Sequence, residues 1–240
     1  MASSYLVSYL VDVMKKLDSE LDILRGMIVE MAGLAEQMLE KAVEAISLPE
    51  QSELVAKVHK WESRMDELEV EIDKLAVRLL TVYGPVAHDL RFVVSASRIN
   101  SELERIGDNT VNVCESIKLL TRRPGSIKTE LLKDLGKHVR KMVSATVLAL
   151  TESDHDRARQ TIAMDDKIDS INEQIVADQL ESTDDLSGTI AQVLIARSLE
   201  RVADQCTNVC EEIVFLAQGD DIRHQPLELP IVDATAANAY

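Results

Sequence analysis

The chain has 240 residues and a formal net charge of −16, and it is 46% hydrophobic but only 3% aromatic. Such a charge argues against nucleic acid and anionic membrane surfaces as partners, because phosphate groups bind to concentrated basic faces. An acidic protein can instead bind cations or basic patches of a partner. With so few aromatic residues, the core must consist of Leu, Val, Ile, Ala and Met, which is typical of packed helices.

The cysteines and the N-terminus both indicate a reducing compartment. Cys114, Cys206 and Cys210 are odd in number and form no CxxC pair, which predicts free, buried thiols. The N-terminus has a short apolar run with no basic residue before it, and Asp12 and Lys15 end that run too early for a membrane span. We therefore expect a cytoplasmic protein without direct membrane insertion.

Three stretches of the first half have apolar residues at helical spacing, separated by turn-forming residues. Asp18 or Ser19 can cap the first helix, which Pro49 closes. Gly84 and Pro85 break the chain, and proline suits the first turn of the helix that follows. The predicted helices cover about residues 18–47, 50–83 and 85–120.

The second half repeats this plan after a boundary at residues 121–125, which include Pro124 and Gly125. Ser126 can cap its first helix, Ser182 with Asp185 resembles a capping box before its last helix, and Gly219 ends that helix. The predicted helices cover about residues 126–150, 157–181 and 182–217.

Residues 103–117 recur at 199–213, offset by 96 positions and without a gap. Nine positions are identical in the two copies, and in the first copy they are Leu103, Glu104, Arg105, Asp108, Asn112, Val113, Cys114, Glu115 and Ile117. The chain is therefore a duplication. It predicts an all-α fold of two tandem three-helix bundles with six long helices. The predicted domains are 18–121 and 126–218, with 1–17 and 219–240 as terminal extensions.

Carboxylate pairs four residues apart occur twice in each half, on two helices that should be neighbours. Residues at this spacing lie one turn apart on the same face of a helix. The candidate metal ligands are Glu62 and Asp66, Glu104 and Asp108, Asp165 and Asp169, and Glu200 and Asp204. Possible additional ligands on or beside the same rows are Asn112, Glu115, Asn208 and Glu211.

These pairs favour a multi-carboxylate metal site. Like charges at this spacing destabilise a helix by a few tenths of a kcal/mol, and two facing pairs would cost more unless a cation lies between them. Oxygen ligands suit magnesium, calcium, manganese or iron. The alternative is a solvated acidic face, but such a face has no reason to keep the same residues in register in both halves.

Other features give catalysis little support. Arg105 and Arg201 lie about 100° around the helix from the carboxylates, so surface ion pairs are their expected role. The histidines do not recur between the halves, and the one E-x-x-H, formed by Glu152 and His155, falls in a predicted turn, whereas a di-iron oxidase needs it twice within helices. No phosphate-binding loop, nucleophile elbow or HExxH motif is present, so we predict that the protein is not an enzyme.

Residues 85–91, 103–108 and 195–204 resemble the PhoU family of bacterial regulators of phosphate uptake. The similarity covers roughly residues 18–224 and includes the double E-x-x-x-D motif. It implies an all-α protein of two three-helix bundles, often a homodimer, with multinuclear clusters of iron, manganese, magnesium or zinc on the four carboxylate pairs. The chain departs from the family pattern in one respect, since the first carboxylate pair begins with Glu62 in one half and with Asp165 in the other. This difference can alter the number of ions in the cluster.

The resemblance also implies a role and partners. Members of the family act as negative regulators, joining the ATPase subunit of the phosphate ABC transporter to the histidine kinase that senses phosphate. Two alternatives stay open from the residues alone. One is a carboxylate-metal hydrolase or metal-handling helical protein, and the other is a helical scaffold without metal.

Overall fold

The computed structural model of the protein describes residues 2–47, 52–120, 129–181, 186–219 and 221–223. Within these ranges the regular structure is all helical, and no helix is long and apolar enough to cross a membrane. The helices are α1 (Ala2–Ile46), α2 (Ser52–Val82), α3 (Ala87–Leu120), α4 (Glu130–Glu152), α5 (His155–Ile162), α6 (Asp165–Glu181) and α7 (Leu186–Gln218). Helices α1 to α3 pack as one bundle and α4 to α7 as a second, which confirms the predicted all-α tandem fold.

The predicted helix ends are close to the observed ones except at the N-terminus. Helix α1 begins at Ala2, so the segment 1–17, which we predicted as an extension, is largely helical. It has no glycine or proline, and its last residue, Leu17, packs against the core. Asp18 and Ser19 are exposed within the helix, where polar side chains are tolerated without acting as caps.

Other predicted boundaries have mixed outcomes. Helix α3 starts at Ala87, two positions after the predicted Pro85, whereas Gly219, with φ of 78°, ends α7 as expected. The three free cysteines are buried, also as predicted. The junction at 121–125, the cap at Ser126 and the capping box at 182–185 lie outside the described residues.

The predicted helix over 157–181 is interrupted, so α5 and α6 together take its place. A turn at Ala163 and Met164 separates them, with Met164 N–H donating to the Thr161 carbonyl at 3.0 Å. The interruption puts Asp165 and Asp166 in the first turn of α6, where the helix dipole favours negative charge. The consequence is that a predicted metal ligand, Asp165, opens a helix.

The two helices that contain the repeated stretch, α3 and α7, pack antiparallel against each other and join the bundles. Asn109 Nδ2 donates to Gln205 Oε1 at 3.3 Å, and these residues occupy equivalent positions of the repeat. A contact between a residue and its own equivalent marks a local two-fold axis. Further along, the buried Glu212 carboxylate accepts from Ser95 Oγ at 2.8 Å and from Arg98 Nη1 at 2.9 Å.

Helices α1 and α4 make a second contact between the bundles, and Gly136 allows it. A Cβ atom at Gly136 would lie 2.9 Å and 3.1 Å from the two γ-methyl groups of Val43. Rotation of Val43 cannot relieve both clashes, so the helices would have to separate.

We expect Gly136→Ala to lower the free energy of unfolding by about 1–3 kcal/mol, because the added methyl group overpacks the contact between α1 and α4. Gly26→Ala is the matched control, since a Cβ atom there would have no packing neighbour within 4 Å in the described part of the chain. That substitution should be neutral or stabilise by up to about 1 kcal/mol, because alanine favours helix more than glycine does. Urea unfolding of the two variants compares them, and equal effects would contradict the close contact.

Candidate metal centre

The first set of candidate ligands lies where α2 packs on α3. The two helices approach each other closely beside Gly107, where a Cβ atom would lie only 3.0 Å from Met65 Sδ. The residues that follow these two in sequence are Asp108 and Asp66, so this contact brings the two helices' carboxylates into one region. The pKa of Asp66 is accordingly raised, chiefly by burial and then by the charges of Glu62 and Asp108.

Glu104 is the most strongly perturbed member of this first set. Its pKa is raised to about 7, first by burial and then by the negative charges of Asp108 and Glu69. Asp66, on the other helix, contributes in the same direction. The two predicted pairs of the first bundle therefore form one electrostatically coupled group.

The second set lies between α6 and α7. The pKa of Asp165 is raised to about 6 by burial first, then by Asp169 on its own helix and by Asp204 on α7. Burial and Glu200 likewise raise the pKa of Asp204, although Arg197 and Arg201 act in the opposite sense. The second bundle thus repeats the coupling that the duplication predicted.

In all four pairs the first residue is half-buried and the second is exposed. The half-buried members are Glu62, Glu104, Asp165 and Glu200, and the exposed ones are Asp66, Asp108, Asp169 and Asp204. Each row therefore runs from a half-buried carboxylate to one that is in contact with solvent.

Glu69 belongs to the first set, although the sequence analysis did not identify it. Its pKa is raised by burial and by the charges of Asp73, Asp66 and Asp108. It lies three residues after Asp66, a spacing that places it on the same helical face. Comparison of the two halves could not identify Glu69, because the corresponding position of α6, three residues after Asp169, is Asn172.

The four possible additional ligands are not all directed to the rows. Glu115 is held by Lys118 and by His59 Nε2 at 3.1 Å, while His59 Nδ1 is 3.1 Å from Glu62. Those partners, Lys118 first, lower the pKa of Glu115. Asn208 donates to Glu102 Oε2 on α3 at 3.1 Å instead. Asn112 is exposed and Glu211 half-buried.

The predicted surface roles of the arginines hold for Arg105, which donates to Glu102 at 3.0 Å on the exposed face of α3. In the second set an unpredicted arginine matters more. Arg197 Nη1 is 2.6 Å from Glu200 Oε2, so a guanidinium group offsets part of the negative charge there. The first set has no equivalent pair on Glu104 among the described contacts.

The residues present fit a hard or intermediate cation. The paired positions offer only oxygen donors, and Asp165 Oδ1 is buried without a hydrogen-bond partner in the described part of the chain. Within that part, no three His, Cys, Asp or Glu side chains already converge closely enough to hold an ion. Carboxylates repel one another at short range, and a cation between them would remove that repulsion.

Fold and site together define a class of protein: a duplicated helical-bundle protein with a coupled row of carboxylates on each bundle. The family model described as "PhoU domain" matches residues 28–117 and again 132–213. The chain therefore belongs to the PhoU family.

Curated relatives and a solved structure agree with this assignment. The chain is 32% identical to the phosphate-specific transport system accessory protein PhoU of Serratia marcescens, over 86% of each chain. It is 33% identical to the protein of that name from Escherichia coli (strain K12), covering 86% of this chain and 87% of that protein. The crystal structure of PhoU from Pseudomonas aeruginosa superposes with a TM-score of 0.79 at 28% identity, covering 85% of this chain and 99% of that one.

The raised carboxylate pKa values predict how stability changes with pH in protein freed of metal by a chelator. Glu104 has a pKa of about 7 in the folded protein against an ordinary 4.5, so the folded state binds the proton more tightly. This contribution to stability is complete below the ordinary pKa and is lost as the pH rises through about 7. Asp165 acts in the same direction.

We therefore expect a higher urea midpoint at about pH 5 than at about pH 8. Glu104→Gln should raise the midpoint at the higher pH and reduce the difference between the two, because the amide mimics the neutral acid. Glu173→Gln, on the exposed face of α6, is the matched control and should leave the difference unchanged. A midpoint that does not depend on Glu104 would contradict the coupling.

Proposed function

We propose that this protein is a non-enzymatic accessory regulator of phosphate uptake that holds a multinuclear metal cluster in each bundle. The observation that carries the proposal is that both bundles contain the same coupled carboxylate rows. The relatives support the physiological part, since curated members of the family are named phosphate-specific transport system accessory proteins.

In this proposal the metal is held by the carboxylates of two helices in each bundle. Glu62, Asp66, Glu104 and Asp108 would hold one cluster, and Asp165, Asp169, Glu200 and Asp204 the other. Glu69 could join the first cluster, because the charges of Asp66 and Asp108 contribute to raising its pKa. The bound metal, which would be iron, manganese, magnesium or zinc, would supply positive charge and cross-link the two helices. The half-buried and exposed carboxylates of the chain would determine where the ions bind.

The protein would act by docking. It would work in the cytoplasm as a homodimer and as an adaptor between the ATPase subunit of the phosphate ABC transporter and the phosphate-sensing histidine kinase. There it would lower uptake and the starvation response when phosphate is plentiful. Long, rigid helices joined along α3 and α7 suit such a role, because they present extended surfaces whose relative position is fixed by packing.

Deletion of the gene in its own organism tests the proposal. We expect phosphate uptake and phosphatase expression to rise in phosphate-rich medium and to be restored by the wild-type gene. A gene encoding Asp66→Asn, Asp108→Asn, Asp169→Asn and Asp204→Asn together should fail to restore them, because these changes neutralise the exposed member of every pair. Glu173→Gln is the control and should restore them fully.

Each outcome tests a different part of the proposed function. Unchanged phosphatase expression in the deletion strain would contradict the regulatory role. Full restoration by the fourfold variant would leave the regulatory role in place but contradict a need for the carboxylates. Purified protein that hydrolyses phosphate esters when loaded with metal would overturn the non-enzymatic part.

A further inference from the structure

A cavity of about 100 Å³ lies at the interface between the two bundles, apart from both carboxylate rows. Helices α1, α3 and α7 and the end of α4 contribute to its wall. Its apolar lining includes Ile28, Phe92, Ile99, Leu150, Ile213 and Leu216. The cavity is thus built from both halves of the duplication.

The polar lining of this cavity has the opposite charge to the rest of the protein. Arg25 lies over the ring of Phe92, with its guanidinium carbon 4.9 Å from the ring centroid, and His88 and Ser153 add further polar groups. Among the residues that the structure describes, none that lines the cavity is acidic, although the chain has 42 acidic residues. The carboxylate of Asp89 lies beside His88, with Oδ1 3.8 Å from His88 Nδ1. The charge therefore suits an anion and not a cation.

Arg25 is exposed and has no ion pair with any residue that the structure describes, its one recorded contact being with Phe92. Surface arginines of an acidic protein readily find carboxylates, as Arg64 and Arg78 do on α2. A guanidinium group over an aromatic ring makes no hydrogen bond to the ring carbons through most of its five N–H donors, so donors remain for another acceptor.

The duplication shows that this arrangement belongs to one end of the molecule only. Positions of α1 correspond to positions of α4 that are 104 residues later, as Ile28 corresponds to Leu132, and both of these are buried. On this correspondence Arg25 maps to Thr129. With the 96-residue offset of the repeated stretch, Phe92 maps to Gly188. The fold keeps its apolar core at both ends, but only one end has the arginine and the aromatic ring.

The size of the cavity limits the ligand. A cavity of about 150 Å³ takes up benzene, so about 100 Å³ has room for a group of roughly four to five carbon atoms. We propose that this cavity binds a small amphiphilic anion, an aliphatic carboxylate whose chain fills the apolar space and whose carboxylate pairs with Arg25 and His88. This site goes beyond the regulatory role and needs none of the metal ligands.

Isothermal titration calorimetry of the full chain with hexanoate, 1-hexanol and hexylammonium tests the proposal. Hexanoate has five apolar carbon atoms and the other two probes have six, so a preference for hexanoate cannot come from a longer tail and reports the charge of the head group. We expect saturable binding of hexanoate, weaker binding of hexanol and none of hexylammonium. Arg25→Gln should weaken hexanoate binding by about tenfold, the scale of a lost charge-assisted hydrogen bond, and should bring it close to that of hexanol.

Two further variants keep the result interpretable. Arg140→Gln removes one exposed positive charge from α4 away from the cavity and should leave hexanoate binding unchanged. Ala217→Leu adds bulk at the wall of the cavity and should weaken binding of both hexanoate and hexanol. Ala217 is exposed in the last turn of α7, so the helix should tolerate leucine, and circular dichroism checks the fold.

The absence of saturable hexanoate binding at millimolar concentrations would overturn the proposal. So would equal affinity for hexanoate and hexanol, or an Arg25→Gln variant that binds hexanoate as tightly as wild type, since either would remove the anion from the site. Binding that survives Ala217→Leu would place the ligand elsewhere.

Discussion

The antiparallel packing of α3 against α7 is the constraint on which the rest of the structure depends. Each helix must bury one face in its own bundle and a second face against the other helix, and it must still present its carboxylates to a neighbouring helix. Asn109 and Gln205 pair across the local two-fold axis, and Glu212 is bonded to Ser95 and Arg98. A buried carboxylate tolerates few alternatives to its own partners, so this network fixes the register of the two helices.

That register also determines the carboxylate rows. Once α3 and α7 are placed back to back, the remaining helices of each bundle must approach from the outer sides, where α2 meets Glu104 and Asp108 and α6 meets Glu200 and Asp204. The packing that stabilises the bundles therefore forces like charges together, which raises the pKa of Glu104 to about 7 and that of Asp165 to about 6. A cation bound between the carboxylates would remove this repulsion.

The two rows are similar but not equal. The first includes Glu69 and touches His59 through Glu62, whereas the second has Arg197 on Glu200. Duplication preserved the helices and the four pairs, and the surrounding residues diverged. The cavity beside Arg25 and Phe92 shows the same divergence at the bundle interface, since the equivalent positions are Thr129 and Gly188.

Much of the fold and of the site could be predicted from the sequence. Helical periodicity fixes the long helices, and the 96-residue repeat identifies the pairs because both copies keep them. The repeat could not identify Glu69, because the corresponding residue in the second half is Asn172. The break before Asp165 depends on how Met164 and Thr161 pack. The cavity could not be predicted, because its lining residues come from helices distant in sequence and form no sequence motif.

We propose that packing brings each set of carboxylates together as a cation site. Anomalous diffraction from crystals of metal-reconstituted protein, supported by elemental analysis of the same sample, tests it most directly. We expect anomalous peaks beside Glu104 and Asp108 in the first bundle and beside Asp165 and Asp204 in the second. Protein that contains no stoichiometric metal after anaerobic reconstitution would contradict the proposal. So would anomalous peaks found only elsewhere on the surface.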